Sequence, residues 1–273
     1  MNYVVSDIHG YYSRFMDLLE QIQFNPIEDE LYILGDCFDR GPENAEMLKW
    51  VDEHMEDPHI HFLFGNHDDL MVEAMRKAFY IIDNPDKTDL TEEAYKDFAF
   101  DTVCDSIWAW NGGTKTFFDM IDIWDADQMR KFIDKVDKWP LFYDININGR
   151  RFVLVHAGIA RQGVRMSDDH FDRGKCVDVE IDGFIKQWSQ SLLWIRENWF
   201  YDLEDLPCDV IFGHTPTFYI YGNIVWEEED KKYVEGEPNR ILHIHKKAHA
   251  IDTGRKCMGI LRLEDMREWY SEV

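Results

Sequence analysis

Five short segments of this chain carry carboxylates, imidazoles and an amide at spacings suited to holding two metal ions and splitting a phosphate ester. They are Ser6-Asp7-Ile8-His9-Gly10, Gly35-Asp36-Cys37-Phe38-Asp39-Arg40-Gly41, Gly65-Asn66-His67-Asp68, His156-Ala157-Gly158 and Gly213-His214-Thr215-Pro216. Asp7 and His9 lie two apart after an apolar run, so on extended backbone both point to one side and reach one ion. Asp36 closes a second such run, and its two oxygens could bridge two cations. Asp39 and Arg40 follow in the same loop, where a planar guanidinium suits phosphate oxygens. Asn66 and His67 are neighbours, so on extended backbone one binds metal while the other stays free as an acid. His156 and His214 each follow a strand-like run. Taken singly, these segments read more simply as turns, a helix N-cap or loop histidines. As a set, gathered beyond the carboxyl ends of strands, they read as a site.

The elements that must carry these groups follow from the apolar patterning. Tyr3 to Ser6, Leu31 to Leu34 and Ile60 to Phe64 read as strands, each followed by an amphipathic stretch. Phe15, Leu18, Leu19 and Ile22 fall at helical spacing, Pro42 sits where a proline opens a helix, and Leu70, Ala74 and Ala78 mark a third helix. From about residue 80 to 145 the chain reads as a helical insertion that begins at an Asp83-Asn84-Pro85-Asp86 turn. Strand-like runs return at Arg151 to Val155, Val210 to Phe212, Tyr219 to Trp226, Ile241 to His245, Ala250 to Asp252 and Ile260 to Leu263. The later ones alternate and are expected to pair antiparallel. Glu227 to Asp230 reads as a solvated loop. With no repeat and no clear linker, the expectation is an α/β fold in one domain over residues 1–273.

Composition narrows the function. An apolar fraction of 45% with 15% aromatics is that of a packed protein. A net charge of −25 disfavours nucleic acid and anionic membranes as partners, and no apolar stretch is long enough to span a bilayer. An anionic substrate would then need metals and one or two arginines to draw it in. The five cysteines are scattered without a Cys-x-x-Cys pair, which reads as reduced thiols rather than a disulfide framework or zinc ribbon. The chain opens on the strand-like Met1-Asn2-Tyr3-Val4-Val5 with no signal core, so the expected location is the cytoplasm.

The five segments together resemble the phosphoprotein phosphatase branch of the calcineurin-like metallophosphoesterases, which includes bacterial serine/threonine phosphatases and symmetrical diadenosine tetraphosphatases. The resemblance runs from Asp7 to about Gly254 and takes in Trp110-Asn111-Gly112-Gly113, Leu193-Trp194-Ile195-Arg196 and Ile251-Asp252-Thr253-Gly254. It implies two mixed β-sheets in a sandwich flanked by helices. It implies two divalent cations, with manganese first and iron or zinc as alternatives. Asp7, His9 and Asp36 would hold one ion; Asp36, Asn66, His156 and His214 would hold the other. A hydroxide shared by the metals would attack phosphorus in line. His67 would protonate the departing oxygen with Asp39 orienting it, and Arg40 and Arg196 would hold the phosphoryl oxygens.

The implied substrate is a phosphomonoester, first a phosphoserine, phosphothreonine or phosphotyrosine in a protein or peptide. The alternative is the phosphoanhydride of a dinucleoside tetraphosphate; a non-catalytic phosphate-binding module ranks below both. Three positions depart from the pattern. Ser6 replaces a common glycine, Phe64 stands where eukaryotic-type protein phosphatases carry arginine, and Asp68 stands where they carry glutamate. The last two lean toward the tetraphosphatase version. Other residues are read as structural. His243 and His245 are placed on an exposed strand edge, and His54, His59, His61, His170 and His249 at surface or core positions. Trp188, Trp194 and Trp199 read as core, Asn111-Gly112-Gly113 as either a turn or a loop near phosphate, and Cys37 as a filler.

Overall fold

The computed structural model describes residues 1–84, 91–159, 178–179, 187–196, 206–223 and 234–272. Two mixed sheets organise them. The first runs β13-β12-β1-β2-β3, built from β1 (Asn2–Val5), β2 (Glu30–Ile33), β3 (Ile60–Phe62), β12 (Cys257–Arg262) and β13 (Arg267–Glu272). The second runs β4-β5-β8-β11-β10-β9, from β4 (Phe142–Ile147), β5 (Arg150–Val155), β8 (Asp209–Phe212), β9 (Val234–Glu235), β10 (Leu242–Ile244) and β11 (Ala248–Ala250). A two-stranded ribbon joins β6 (Asp178–Val179) to β7 (Gln187–Trp188). In the first sheet β1, β2 and the edge strand β3 run parallel while β12 and β13 pair antiparallel; in the second, β5, β8 and β11 run parallel at the centre and the flanking pairs are antiparallel.

The burial pattern explains why the strands read as continuous apolar runs rather than alternating ones. Val4 faces Phe152, Leu154, Ile211 and Leu261 in a layer between the two sheets. Its neighbours Tyr3 and Val5 face a different layer, formed with α1 (Tyr12–Gln21), α2 (Asn44–His54) and α3 (Asn66–Asp83). Val153, Val155, Val210 and Phe212 pack outward on Leu192 of α7 (Ser189–Trp194) and Ile220 of α8 (Thr217–Asn223). A strand covered on both faces needs apolar side chains at every position. The expected sandwich of two mixed sheets with helices outside is what the chain forms.

Four expectations are corrected. The later strands do not all pair antiparallel: β5, β8 and β11 run parallel, because each is buried on both faces and is reached through a connection longer than a hairpin. Tyr219 to Trp226 reads as a strand, yet Thr217–Asn223 is helical, with the amides of Tyr219 and Ile220 donating to the Pro216 carbonyl. The β-favouring Tyr-Ile-Tyr run yields to packing, because one helical turn buries Ile220 fully while Phe218 and Tyr219 stay exposed; residues 224–226 lie outside the described residues. The helical stretch ends before 145: α4 (Glu92–Cys104), a π-type turn at Ala109–Gly113, α5 (Thr114–Ile123) and α6 (Ala126–Val136) are helical, but Phe142–Ile147 is strand β4. His243 is not on an exposed edge. It lies on β10 between β9 and β11, with Nδ1 2.7 Å from His249 Nδ1 and Nε2 2.7 Å from Glu268. The readings of Pro85, Asp86, His170, Trp199 and 227–230 fall outside the described residues. Among the described residues no helix is long and apolar enough to cross a membrane.

Candidate metal centre

The site forms where β1, β2, β5 and β8 end and their chains turn sharply. Asp7, His9, Asp36, Asp39, Arg40 and His214 all have positive φ, between 48° and 76°. Non-glycine residues pay roughly 1–2 kcal/mol in that region, and such strain clusters at functional sites. Asp7 and His9 therefore do not converge by the extended-strand geometry expected of them; they meet because the loop folds left-handed, bringing His9 Nε2 within 4.0 Å of Asp7 Oδ1. Asn66 and His67 are likewise not extended but form the first turn of α3. Glycines let the loops crowd together. A Cβ on Gly213 would lie 1.8 Å from Ser6 Oγ, and one on Gly65 would lie 2.3 Å from Asp36 Oδ1.

Asp36 is the hub. One of its oxygens belongs to a buried group with His9 and His67, and an oxygen also belongs to a group with His156 and His214; within each group the ligand atoms lie within 4.8 Å of one another. Its Oδ2 is 3.7 Å from His9 Nε2 and its Oδ1 3.6 Å from His156 Nε2. The histidines are pre-set as ligands by backbone carbonyls. His9 Nδ1 lies 2.9 Å from the Phe38 carbonyl and His156 Nδ1 2.6 Å from that of Leu34, so each donates there and presents Nε2 as a lone pair.

Asn66 Oδ1 then faces His156 Nε2 at 2.9 Å and His214 Nδ1 at 2.8 Å. An amide oxygen opposed to an imidazole lone pair is repulsive unless a proton or a cation lies between them. Burial drives the charges the same way. It pushes the Asp36 carboxyl well up, with Asp7 adding to the effect, and holds His9, His156 and His214 below the usual imidazole range. Crowded carboxylates and neutral imidazoles around one buried point are the donor set a pair of divalent cations fits.

The remaining expected residues gather here too. His67 Nδ1 is 2.7 Å from Asp39 Oδ2. Arg40 spans the two imidazoles, with Nη1 2.6 Å from His9 Nε2 and Nη2 2.6 Å from His67 Nε2. Arg196 donates to the His214 carbonyl at 2.9 Å and, with Arg40, Asp7, His9 and His214, lines one cavity. The clusters do differ from expectation in one respect: His67, expected only as an acid, lies in the ligand group with His9 and Asp36, where Asp7 was expected.

Sequence reasoning missed the residues that hold Asp39. Trp108 Nε1 donates to its Oδ2 at 2.8 Å and Thr116 Oγ1 to its Oδ1 at 2.6 Å, both from the helical stretch after α4. No local motif flags them, since their partner is about 70 residues away. Asp68 caps α3, accepting from the amides of Gly65 at 2.8 Å and Asp36 at 3.1 Å, so a departure in the motif is a backbone clamp. Asp252, read only as part of a motif, is buried and lines the cavity. In the 110–113 segment Gly112, not Asn111, touches the site. Its carbonyl accepts from Arg40 N at 3.2 Å, while Asn111 turns back to the Ile107 carbonyl. Trp194 stands edge-on to His214 at 6.0 Å, and Cys37 is buried with its thiol pushed well up by burial, in keeping with a filler.

A model of the calcineurin-like phosphoesterase family matches residues 3–247. The chain belongs to this family. This calcineurin-like phosphoesterase is 25% identical to the serine/threonine-protein phosphatase 2 of Salmonella typhimurium over 259 residues, 95% of this chain and 89% of that protein. It is 35% identical to the symmetrical bis(5'-nucleosyl)-tetraphosphatase of Methylobacillus flagellatus over 100 residues, 33% of this chain and only 35% of that relative's length. A solved structure provisionally described as a diadenosine tetraphosphatase aligns with a TM-score of 0.52 at 15% identity, covering 99% of this chain and 92% of that one, which shows a shared fold. With family and phosphatase-named relatives in agreement, the chain is a metal-dependent phosphoester hydrolase.

Proposed function

We propose that this enzyme hydrolyses phosphoric esters at a dinuclear centre held by Asp7, His9, Asp36, Asn66, His156 and His214, with manganese first and iron or zinc as alternatives. The observation that carries the reading is Asp36, shared between two buried ligand groups. Two divalent cations there would supply an activated water at neutral pH and polarise the phosphoryl oxygens. His67 delivers a proton to the departing oxygen, and Asp39 fixes its tautomer by accepting from Nδ1. Arg40 and Arg196 grip the phosphoryl oxygens as charge develops.

The substrate we put first is a phosphomonoester on a protein or peptide, supported by similarity to the Salmonella phosphatase over 95% of the chain. A second reading, cleavage of a dinucleoside tetraphosphate, is supported by the roomy basic cavity beside the centre. A cytoplasmic setting agrees with Cys37, Cys104, Cys208 and Cys257 being free thiols.

The test pairs metal content with turnover. Asp36→Asn should lose both ions and hydrolysis of p-nitrophenyl phosphate together. His67→Asn should keep two ions and lose turnover of an alkyl phosphate; loss of one ion instead would make His67 a ligand. An Asp36→Asn variant as active as the native enzyme would sink the proposal.

A further inference from the structure

The cavity that opens at Asp7, His9 and His214 continues well past them. It encloses about 700 Å³ and extends to Arg14, Arg255 and Lys256. A single phosphoryl group needs only the metal end, whereas a cavity of this size takes a molecule as large as a nucleotide. The three cations come from separate parts of the chain: Arg14 from α1, Arg255 and Lys256 from the turn between β11 and β12.

Arg14 is held in place. Its Nη1 donates to the Arg255 carbonyl at 2.6 Å, and its guanidinium lies 4.4 Å above the Tyr11 ring. In a chain of net charge −25 several other arginines find carboxylates, as Arg130 does with Asp83, Arg151 with Asp144 and Arg262 with Asp265. Arg14, Arg255 and Lys256 have no carboxylate partner among the described residues. Phe218, 48% exposed, lines the same cavity and offers an aromatic face.

We propose that Arg14, Arg255 and Lys256 form a second anion subsite that holds the phosphates next to the one being cleaved, selecting nucleoside polyphosphates over simple monoesters. The inference rests on the metal end being the hydrolytic centre and deepens the second, dinucleoside reading of its substrate in place of the phosphopeptide put first. In the step it favours, water oxygen bonds to the phosphorus at the metal end. The bond from that phosphorus to the bridging oxygen breaks, and the distal phosphate leaves with that oxygen and one proton. The site would thus be fed by a reaction that condenses nucleotides through phosphates.

Binding of inorganic tripolyphosphate and of orthophosphate to the manganese-loaded protein would be measured by calorimetry, alongside kcat/KM on diadenosine tetraphosphate, a phosphothreonine peptide and p-nitrophenyl phosphate. Arg14→Ala and the Arg255→Ala/Lys256→Ala pair should each weaken tripolyphosphate by about tenfold or more and lower kcat/KM on diadenosine tetraphosphate through KM. Orthophosphate binding and p-nitrophenyl phosphate turnover should stay within about twofold. Unchanged tripolyphosphate affinity, equal losses for tripolyphosphate and orthophosphate, or a native preference for the phosphopeptide would overturn the subsite. Tripolyphosphate binding that depends on these residues in a protein inactive on all three substrates would uphold the subsite and remove the hydrolytic reading instead.

Discussion

Asp39 accepts from three side chains at once: the His67 imidazole, the Trp108 indole and the Thr116 hydroxyl. Burial raises its carboxyl to about 7 even against the lowering effect of the Thr116 and Trp108 hydrogen bonds. A carboxylate that must be ionised to orient His67 loses that role as pH falls through its pKa. Thr116→Val deletes one of the bonds that lowers the pKa, so the acid limb of the kcat profile should move to higher pH. The rate on an alkyl phosphate should fall by roughly tenfold, since a partner of this kind is typically worth 10–100-fold. Steady-state rates across pH, with metal content held constant, check this; an unmoved limb would show that Asp39 does not set it.

At the scale of elements, activity depends on how closely strand ends approach. Gly213 follows β8 and packs directly on Ser6 and Asp7 after β1. Gly213→Ala should push those loops apart and lower bound metal by about tenfold or more while leaving far-ultraviolet circular dichroism unchanged. Retained metal would mean the loops yield. Ile211, one residue inside β8's last position and fully buried between the sheets, tests the layer below. Ile211→Ala should cost about 2–5 kcal/mol in denaturant unfolding. Turnover per folded molecule should be little altered, because the cavity left behind faces the inter-sheet layer rather than the site.

The whole molecule joins its two sheets through polar side chains as well as apolar ones. Asp209 on β8 accepts from Arg150 at 2.6 and 2.9 Å and pairs with His249 at 3.0 Å; His249 meets His243, which meets Glu268 on the other sheet. Burial pushes the Asp209 carboxyl up, but the Arg150 and His249 hydrogen bonds outweigh it and hold it well below the usual range. A carboxyl depressed in the folded state stabilises the fold above its unfolded pKa of about 4 and loses that contribution as pH falls below it. Urea midpoints should therefore drop on going from pH 6 to pH 3.5 more for the native chain than for Asp209→Asn; equal drops would remove Asp209 from the account. The net charge of −25 acts on a longer range. Its repulsion of anionic substrates reaches about 30 Å at 0.01 M salt and about 8 Å at 0.15 M. Accordingly kcat/KM should rise over that range, and a fall would mean that the basic cavity dominates even at distance.

The residue types at the site and the buried strands that carry them were legible in the chain itself, because a two-sided buried strand leaves an unbroken apolar run and a site at its end leaves polar groups just past it; the parallel pairing of β5, β8 and β11 was not legible. His9, Asp36, His156 and His214, which fall in the buried ligand groups, stand out for that reason, with Asp7 and Asn66 beside them. What the chain alone could not tell was set by partners distant in sequence. Tyr219 to Asn223 became a helix because Ile220 had a core to enter. His243 became an inter-sheet link because Glu268 was brought opposite it. Trp108 and Thr116 acquired a role only once the helical stretch had folded over Asp39. The cavity joining Arg14 to Arg255 exists only because α1 and the turn after β11 are neighbours in space. Local pattern records burial and periodicity, which each residue carries with it; contacts between remote segments are decided by the packing of the finished sheets.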